Sequence, residues 1–359
     1  MTNRRENFYA RTRAAKKVMV LDLGFLGDTV HLLPALWQVR QAYPQAELHV
    51  TVAAQVTSLM NCVPWVQRTW GYMRYPRHAT LRENLQIVAS LRREKFDVLI
   101  NLNGSDRSSW LTFFSGARER LGRVPDDGGP PFWRQMFTEH VRHPFAPEPF
   151  YIQRCRCLEK TGFPQVPPEF HIKIAPENLH AAEISEADTG HYLHVSPFTT
   201  ADYKELSPGQ IVKFIEALGR IFPDKKIVLS CAPTPREQKK MAALLTLLPQ
   251  KPWRVFAGNL DLTQIAAVIK HSAVHFSGDT GTLHLAAMTG TPLVAWFWPN
   301  PSRDQWLPTS GIFRVLVGEN NPDSPHLLEI QTDELLAAAQ SVLAAEHKNL
   351  YSAEQKSGS

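Results

Sequence analysis

The chain has 359 residues, of which 43% are hydrophobic and 20% charged, with a net charge of +5. That composition excludes disorder over most of the length and allows two domains of ordinary size, each burying its own core. The mild basic excess suits nucleic acid, an anionic membrane surface or an acidic substrate, without choosing between them.

Residues 1–16 carry Arg4, Arg5, Arg11, Arg13 and Lys16 and read as a basic, solvated tail. They lack the apolar segment of a signal peptide, and no apolar run approaches the ~20 residues that span a bilayer. The cysteines Cys62, Cys155, Cys157 and Cys231 are too few and scattered for a disulfide framework. The Cys155-Arg-Cys157 spacing is also too tight for a zinc half-site. A reduced, cytoplasmic protein is expected, with membrane contact, if any, peripheral.

From Lys17 the pattern alternates buried strands with helices. Lys17–Leu23 is a continuous apolar run, as parallel strands covered on both faces require. Val30–Tyr43 follows with helical spacing, then strand Glu47–Ala53, helix Leu85–Glu94 and strand Asp97–Leu102. Proline and glycine breakers between Pro125 and Pro176 separate this first domain (17–175) from a second (176–346). There the pattern restarts: strand His191–Ser196, helix Pro208–Ile221, strand Lys226–Ser230, helix Arg236–Leu248, strand Arg254–Phe256 and helix Thr263–Lys270. Strand Ala273–Phe276 then leads into a small polar turn, a short helix and a second apolar run. Thr332 is the expected N-cap of a last helix to Glu346, with Leu335, Leu336, Val342 and Leu343 on its apolar face, and residues 347–359 read as a disordered tail. The fold class is α/β, two doubly wound domains with a cleft between them.

Ligands of such sheets bind where loops leave the carboxyl ends of the strands. Four loops qualify. Gly24-Phe-Leu-Gly27-Asp28 follows the first strand; its glycines let backbone approach a ligand, and the spacing is not the dinucleotide fingerprint. Asp28 reads equally as the cap of a helix starting at Thr29 and as a general base. Asn101 to Ser108, which includes Asn103, ends the third strand, and Arg107 with Arg118, Arg120 and Arg123 offers a basic wall for an anionic acceptor. Thr199, Thr200 and Lys204 follow the first strand of the second domain, where hydroxyls and an ammonium can hold a diphosphate. Ser277-Gly-Asp279-Thr280-Gly281 opens a short helix, a turn suited to an anionic or polyhydroxylated ligand. Against these stand plainer readings: a solvated Lys204, a capping Asp279 and a packed His284. The fourteen histidines show no metal-ligand spacing, so no metal is expected. Nor is nucleic acid, because basic and aromatic residues do not interleave.

The order of these signals resembles glycosyltransferase family 9, the ADP-heptose:lipopolysaccharide heptosyltransferases. The matching residues are Gly24-x-x-Gly27-Asp28, Lys204, Asp279-Thr-Gly281-x-x-His284-Leu-Ala-Ala287, Gly290-x-Pro292 and Trp298-Pro299, within Lys17 to Leu343. The resemblance implies a GT-B fold of two facing Rossmann-like domains, acceptor on the first and nucleotide sugar on the second. It implies an inverting, metal-independent transfer of heptose from ADP-heptose to an anionic lipopolysaccharide core acceptor. The ADP-sugar is then a substrate and no cofactor is expected. Asp28 matches the base, with Gly27, Asn103 and Arg107 on the acceptor side. Thr199, Thr200 and Lys204 match the diphosphate loop, and Asp279, Thr280, Gly281 and His284 the donor turn. Glu237 falls at a ribose-binding glutamate and Leu260 at an apolar cover for adenine. Three departures stand out: Glu205-Leu206 replaces a tryptophan near the lysine, Cys231-Ala232 a glycine, and Trp296-Phe-Trp298 a small-residue strand ending. The alternatives are a GT-B transferase or epimerase with another nucleotide sugar, or a non-catalytic nucleotide-sugar binder.

Overall fold

The computed structural model describes residues 6–74, 77–125, 129–142, 148–321 and 324–357. The chain divides into two compact units, Met1–Lys173 and Ile174–Ser359.

The first unit comprises α1 (Phe8–Thr12), β1 (Lys17–Leu21), α2 (Leu26–Ala42), β2 (Glu47–Ala53), α3 (Thr57–Met60), β3 (Arg68–Tyr72) and α4 (Leu81–Glu94). It continues with β4 (Val98–Asn101), α5 (Asp106–Phe114), β5 (Glu119–Val124), α6 (Pro131–Met136), β6 (Glu139–Arg142) and α7 (Phe150–Glu159). The six strands form one sheet in the order β3-β2-β1-β4-β5-β6, every pairing parallel. Strands β3, β5 and β6 carry charged residues that break an apolar pattern, and the sequence does not announce them. Nor does the expected tail hold as one. Its residues from Phe8 onward form α1, because Phe8 and Tyr9 pack on Phe163 and the Thr12 hydroxyl meets Tyr43 Oη at 2.7 Å. Residues 1–5 of that tail lie outside the described residues.

The second unit begins with α8 (Glu177–His180), β7 (Tyr192–Ser196), α9 (Pro208–Ile221), β8 (Lys226–Cys231), α10 (Pro235–Leu247), β9 (Arg254–Ala257) and α11 (Leu262–Lys270). Then come β10 (Val274–Gly278), α12 (Gly281–Thr289), β11 (Leu293–Phe297), β12 (Phe313–Val317), a hairpin of β13 (Glu319–Asn321) and β14 (Ser324–Glu329), and α13 (Thr332–Ser357). Its sheet runs β12-β11-β10-β7-β8-β9, again all parallel. Leu193, Val195, Phe276, Val294 and Trp296 form one core with Phe214 of α9 and with Leu335, Val342 and Leu343 of α13. Helix α13 passes the expected end at Glu346 and takes in most of the expected tail. No glycine or proline interrupts the chain from Thr332 to Ser357.

Both sheets share one consequence of strand order. The chain lays three strands to one side, then crosses to the other beside its first strand. Successive loops therefore leave on opposite faces, opening a crevice at the carboxyl ends of β1 and β4 in one unit and of β7 and β10 in the other.

Candidate active site at the two switch points

In the first unit the crevice is built around buried charge. Asp22, directly after β1, is fully buried and bonded to the guanidinium of Arg154 from α7. Its other oxygen accepts from Gly24 N at 2.8 Å and from Asn103 Nδ2, after β4, at 3.4 Å. Burial pushes the Asp22 carboxyl up, and the Arg154 guanidinium opposes it. The same guanidinium donates to the Asp28 carbonyl and stands 3.9 Å from its carboxylate. Both Arg154 and Arg123 lie over the Phe150 ring, at 4.4 and 5.0 Å.

Helix α2 starts at Leu26, three residues before the expected Thr29, so Asp28 is its third residue and not a cap ahead of it. Its carboxylate reaches back to Phe25 N at 2.9 Å and remains partly open to solvent. A Cβ on Gly24 would fall 2.1 Å from Asp28 Cβ, so only glycine leaves room for the carboxylate there. Gly27 lies half-buried in the same turn. The bond from Phe25 N fixes one carboxylate oxygen of Asp28, and the other lies 3.9 Å from the Arg154 guanidinium.

The expected basic wall does not form. Arg107 opens α5 near Tyr72 and His78 at the carboxyl edge, and Arg123 lies beside Asp22 and Asp28. Arg118 pairs with Asp97 ahead of β4, and Arg120 bonds Met136 O and Ala117 O, both toward the opposite edge. The strand between Arg118 and Arg123 is what separates them.

In the second unit the loop after β7 and the turn after β10 meet through an ion pair, Lys204 Nζ to Asp279 Oδ2 at 2.5 Å. Lys204 is therefore not a solvated surface lysine, and Asp279 is not the cap: Thr280 holds that position and makes no side-chain capping bond. No side chain caps the first turn of α12, and its Leu283 N–H donates to the Thr280 carbonyl at 3.1 Å. Gly278 is where the two loops touch, since a Cβ there would meet Trp296 Nε1 at 2.8 Å, Thr199 Cγ2 at 2.9 Å and the Lys204 carbonyl at 3.1 Å. Thr199 is buried and its hydroxyl donates to Ala201 O at 2.8 Å, so it shapes the loop, whereas Thr200 is exposed.

A network the sequence reading did not anticipate braces that loop. Glu205, in place of the expected tryptophan, accepts from Thr199 N at 2.9 Å, Arg236 at 2.8 Å and Lys240 at 2.6 Å. Asp202 bonds the same two cations, Lys240 first, and they hold its carboxyl down to about 2. Glu237, buried at the start of α10, spends one oxygen on Ala232 N at 2.8 Å, and burial raises its carboxyl. Leu260 is half-buried just before Asp261, the cap of α11. His284 is buried inside α12 with its ring 5.5 Å from Trp306. Asp22 and Arg154 were missed altogether. An aspartate closing an apolar strand was the one available signal, because a buried carboxylate requires a partner.

Among the described residues no group of three or more His, Cys, Asp or Glu side chains is placed to hold a metal ion.

Comparison with known proteins places this geometry. The profile of glycosyltransferase family 9 (heptosyltransferase) matches residues 85–327. The lipopolysaccharide core heptosyltransferase OpsX of Haemophilus influenzae is 23% identical over 295 residues, covering 81% of this chain and 82% of that protein. A family 9 glycosyltransferase structure from Veillonella parvula superposes with a TM-score of 0.79 at 19% identity, covering 92% of this chain and 97% of that one. The Escherichia coli ADP-heptose heptosyltransferase II structure gives 0.75 at 18% identity, with 92% and 99% covered. These likenesses establish the GT-B fold expected from the sequence. The chain belongs to glycosyltransferase family 9, the heptosyltransferases.

Proposed function

We propose that this enzyme transfers heptose from ADP-heptose to a hydroxyl of an anionic lipopolysaccharide inner-core acceptor, inverting the anomeric carbon without a metal ion. The donor is a substrate, so no cofactor takes part, and the reaction runs on the cytoplasmic side of the membrane that carries the acceptor. The likeness to a lipopolysaccharide core heptosyltransferase and to an ADP-heptose heptosyltransferase supports the substrates. The observation that carries the mechanism is the division of charge: a carboxylate at one switch point, and a lysine with an open helix N-terminus at the other.

In this reading Asp28 takes the proton of the acceptor hydroxyl as its oxygen attacks the anomeric carbon. The bond from that carbon to the diphosphate breaks, and its electron pair leaves with ADP. Lys204, the Thr200 hydroxyl and the backbone N–H groups of Gly281 and Thr282 meet the charge that develops there, which supplies from the protein what a metal ion would otherwise supply. Thr199 shapes the diphosphate loop. Asp279 aims Lys204, and its carboxylate accepts from donor hydroxyls. Thr280 and buried His284 set the turn. Glu237 receives the ribose and Leu260 covers the adenine. Gly27, Asn103 and Arg107 hold the acceptor, Arg107 through its acidic groups.

The test separates the two switch points. Asp28→Asn is expected to lower turnover with ADP-heptose by about 10²–10⁴-fold with ADP affinity unchanged. Lys204→Ala is expected to weaken ADP binding by about tenfold or more, as loss of a charge-assisted contact does. Near-normal turnover in the first variant removes Asp28 as the base; unchanged ADP affinity in the second removes Lys204 from the diphosphate.

A further inference from the structure

Helices α5 and α6 of the first unit expose aromatic rings that a soluble surface ordinarily hides. Trp110 is 45% exposed, Phe113 42%, Phe114 44% and Phe132 39%. They form one cluster: Trp110 stacks on Phe114 at 5.6 Å and on Phe132 at 5.8 Å, and Phe113 meets Phe114 edge-on at 5.3 Å. The buried side of the same helices is normal core, with Leu111 and Trp133 turned inward. A contiguous apolar patch of this kind marks an interaction site.

Charge around the patch indicates the partner. Arg120 lies 5.8 Å from the Phe113 ring, and Arg92 donates to the Phe114 carbonyl at 3.3 Å. Arg134 is exposed on α6, two residues along from Phe132. None of these three meets a carboxylate within salt-bridge distance among the described residues. Among the described residues, Glu119 and Glu139 pair with Arg11 at 3.3 and 3.1 Å, and Asp106 accepts from Trp133 Nε1. Tryptophan and phenylalanine bordered by arginines that no carboxylate among the described residues neutralises suit the headgroup region of an anionic bilayer, where rings enter the acyl boundary and guanidinium groups meet lipid phosphates.

We propose that this aromatic–arginine face docks the enzyme on an anionic lipid bilayer. The proposal rests on the reading of the acceptor as a membrane-borne glycolipid. Helix α5 carries Arg107 at one end and Phe114 at the other, seven residues and about 10 Å apart by helical rise. Docking through the aromatic end therefore sets the acceptor-side loop a short way above the lipid surface, at the depth of a sugar core.

Co-sedimentation with vesicles of phosphatidylethanolamine containing about 30 mol% phosphatidylglycerol tests this, with phosphatidylcholine vesicles as the neutral control. The wild-type protein is expected to partition onto the anionic vesicles, and the double variant Trp110→Ser/Phe114→Ser to lose about tenfold or more of that partition. Arg134→Glu is expected to weaken it in the same direction. Transfer to a water-soluble, deacylated acceptor should be equal in wild type and variants, which shows the variants fold. Equal partition of variant and wild type overturns the proposal. So does a wild-type dimer that the double variant abolishes, which would make the face a contact between copies. Patch-dependent vesicle binding with no transfer of heptose by the wild type would sustain the docking face and sink the assigned reaction.

Discussion

The residue that organises the first switch point is Arg154. It joins two aspartates that follow the same strand, Asp22 by its side chain and Asp28 by its backbone carbonyl, and it is itself almost wholly buried. Removing one partner of such a pair leaves an uncompensated charge in a site of low polarity, which costs more than the pair contributes. Arg154→Ala is expected to destabilise the first unit by about 3–5 kcal/mol in denaturant unfolding. Arg154→Lys should recover only part of this, because an ammonium cannot span both acceptors with a planar fork. A loss under about 1 kcal/mol would show that Asp22 simply takes up a proton in the variant, as its burial favours.

At the scale of elements, the central strands of the second sheet carry a buried imidazole pair. His194 of β7 and His275 of β10 are register partners, and their Nδ1 atoms lie 2.7 Å apart. That bond needs one ring to donate and the other to accept, which two neutral rings of opposite tautomer can do. Burial lowers both, His194 to about 3, and His194 lowers His275 further. In the unfolded chain both titrate near the ordinary value of about 6.5. Above that pH the pair contributes no pH dependence, since both states are neutral. As pH falls from about 6.5 toward 3, the unfolded chain binds protons that the folded one refuses, and stability drops. The slope is expected to reach about 1.4 kcal/mol per pH unit for each imidazole. His194→Gln/His275→Gln should flatten it, measured by urea unfolding at stepped pH. An unchanged slope would place the acid sensitivity elsewhere.

At the scale of the whole molecule, one topology is used twice with different chemistry at its switch point. The first unit turns a carboxylate outward from a buried Asp–Arg pair. The second sets a lysine, ion-paired with an aspartate ahead of a helix N-terminus, beside a brace of Glu205, Arg236 and Lys240. The proposed donor therefore stabilises one unit. ADP at about 100 times its dissociation constant should add about 2.7 kcal/mol. Amide hydrogen exchange should slow in residues 197–204 and 278–282. Larger thermal shifts with UDP or GDP than with ADP would replace the donor base.

The sequence by itself determined the fold class, the restart of the βαβ pattern, and the loops that hold Asp28, Lys204 and Asp279. Those features are written locally: apolar runs for buried parallel strands, glycine-bearing turns where strands end, and residue order along the chain. Where local pattern is weak it failed, at the charged strands β3, β5 and β6, at α1 with its aromatic anchors, and at α13 beyond Glu346. Only the tertiary structure decided which charges meet. Arg154 lies 132 residues from the Asp22 it neutralises, Lys204 lies 75 from Asp279, and four arginines of one segment part to opposite edges of a strand. Pairing across such separations follows from strand order and burial, which act through space and leave no periodic trace along the chain.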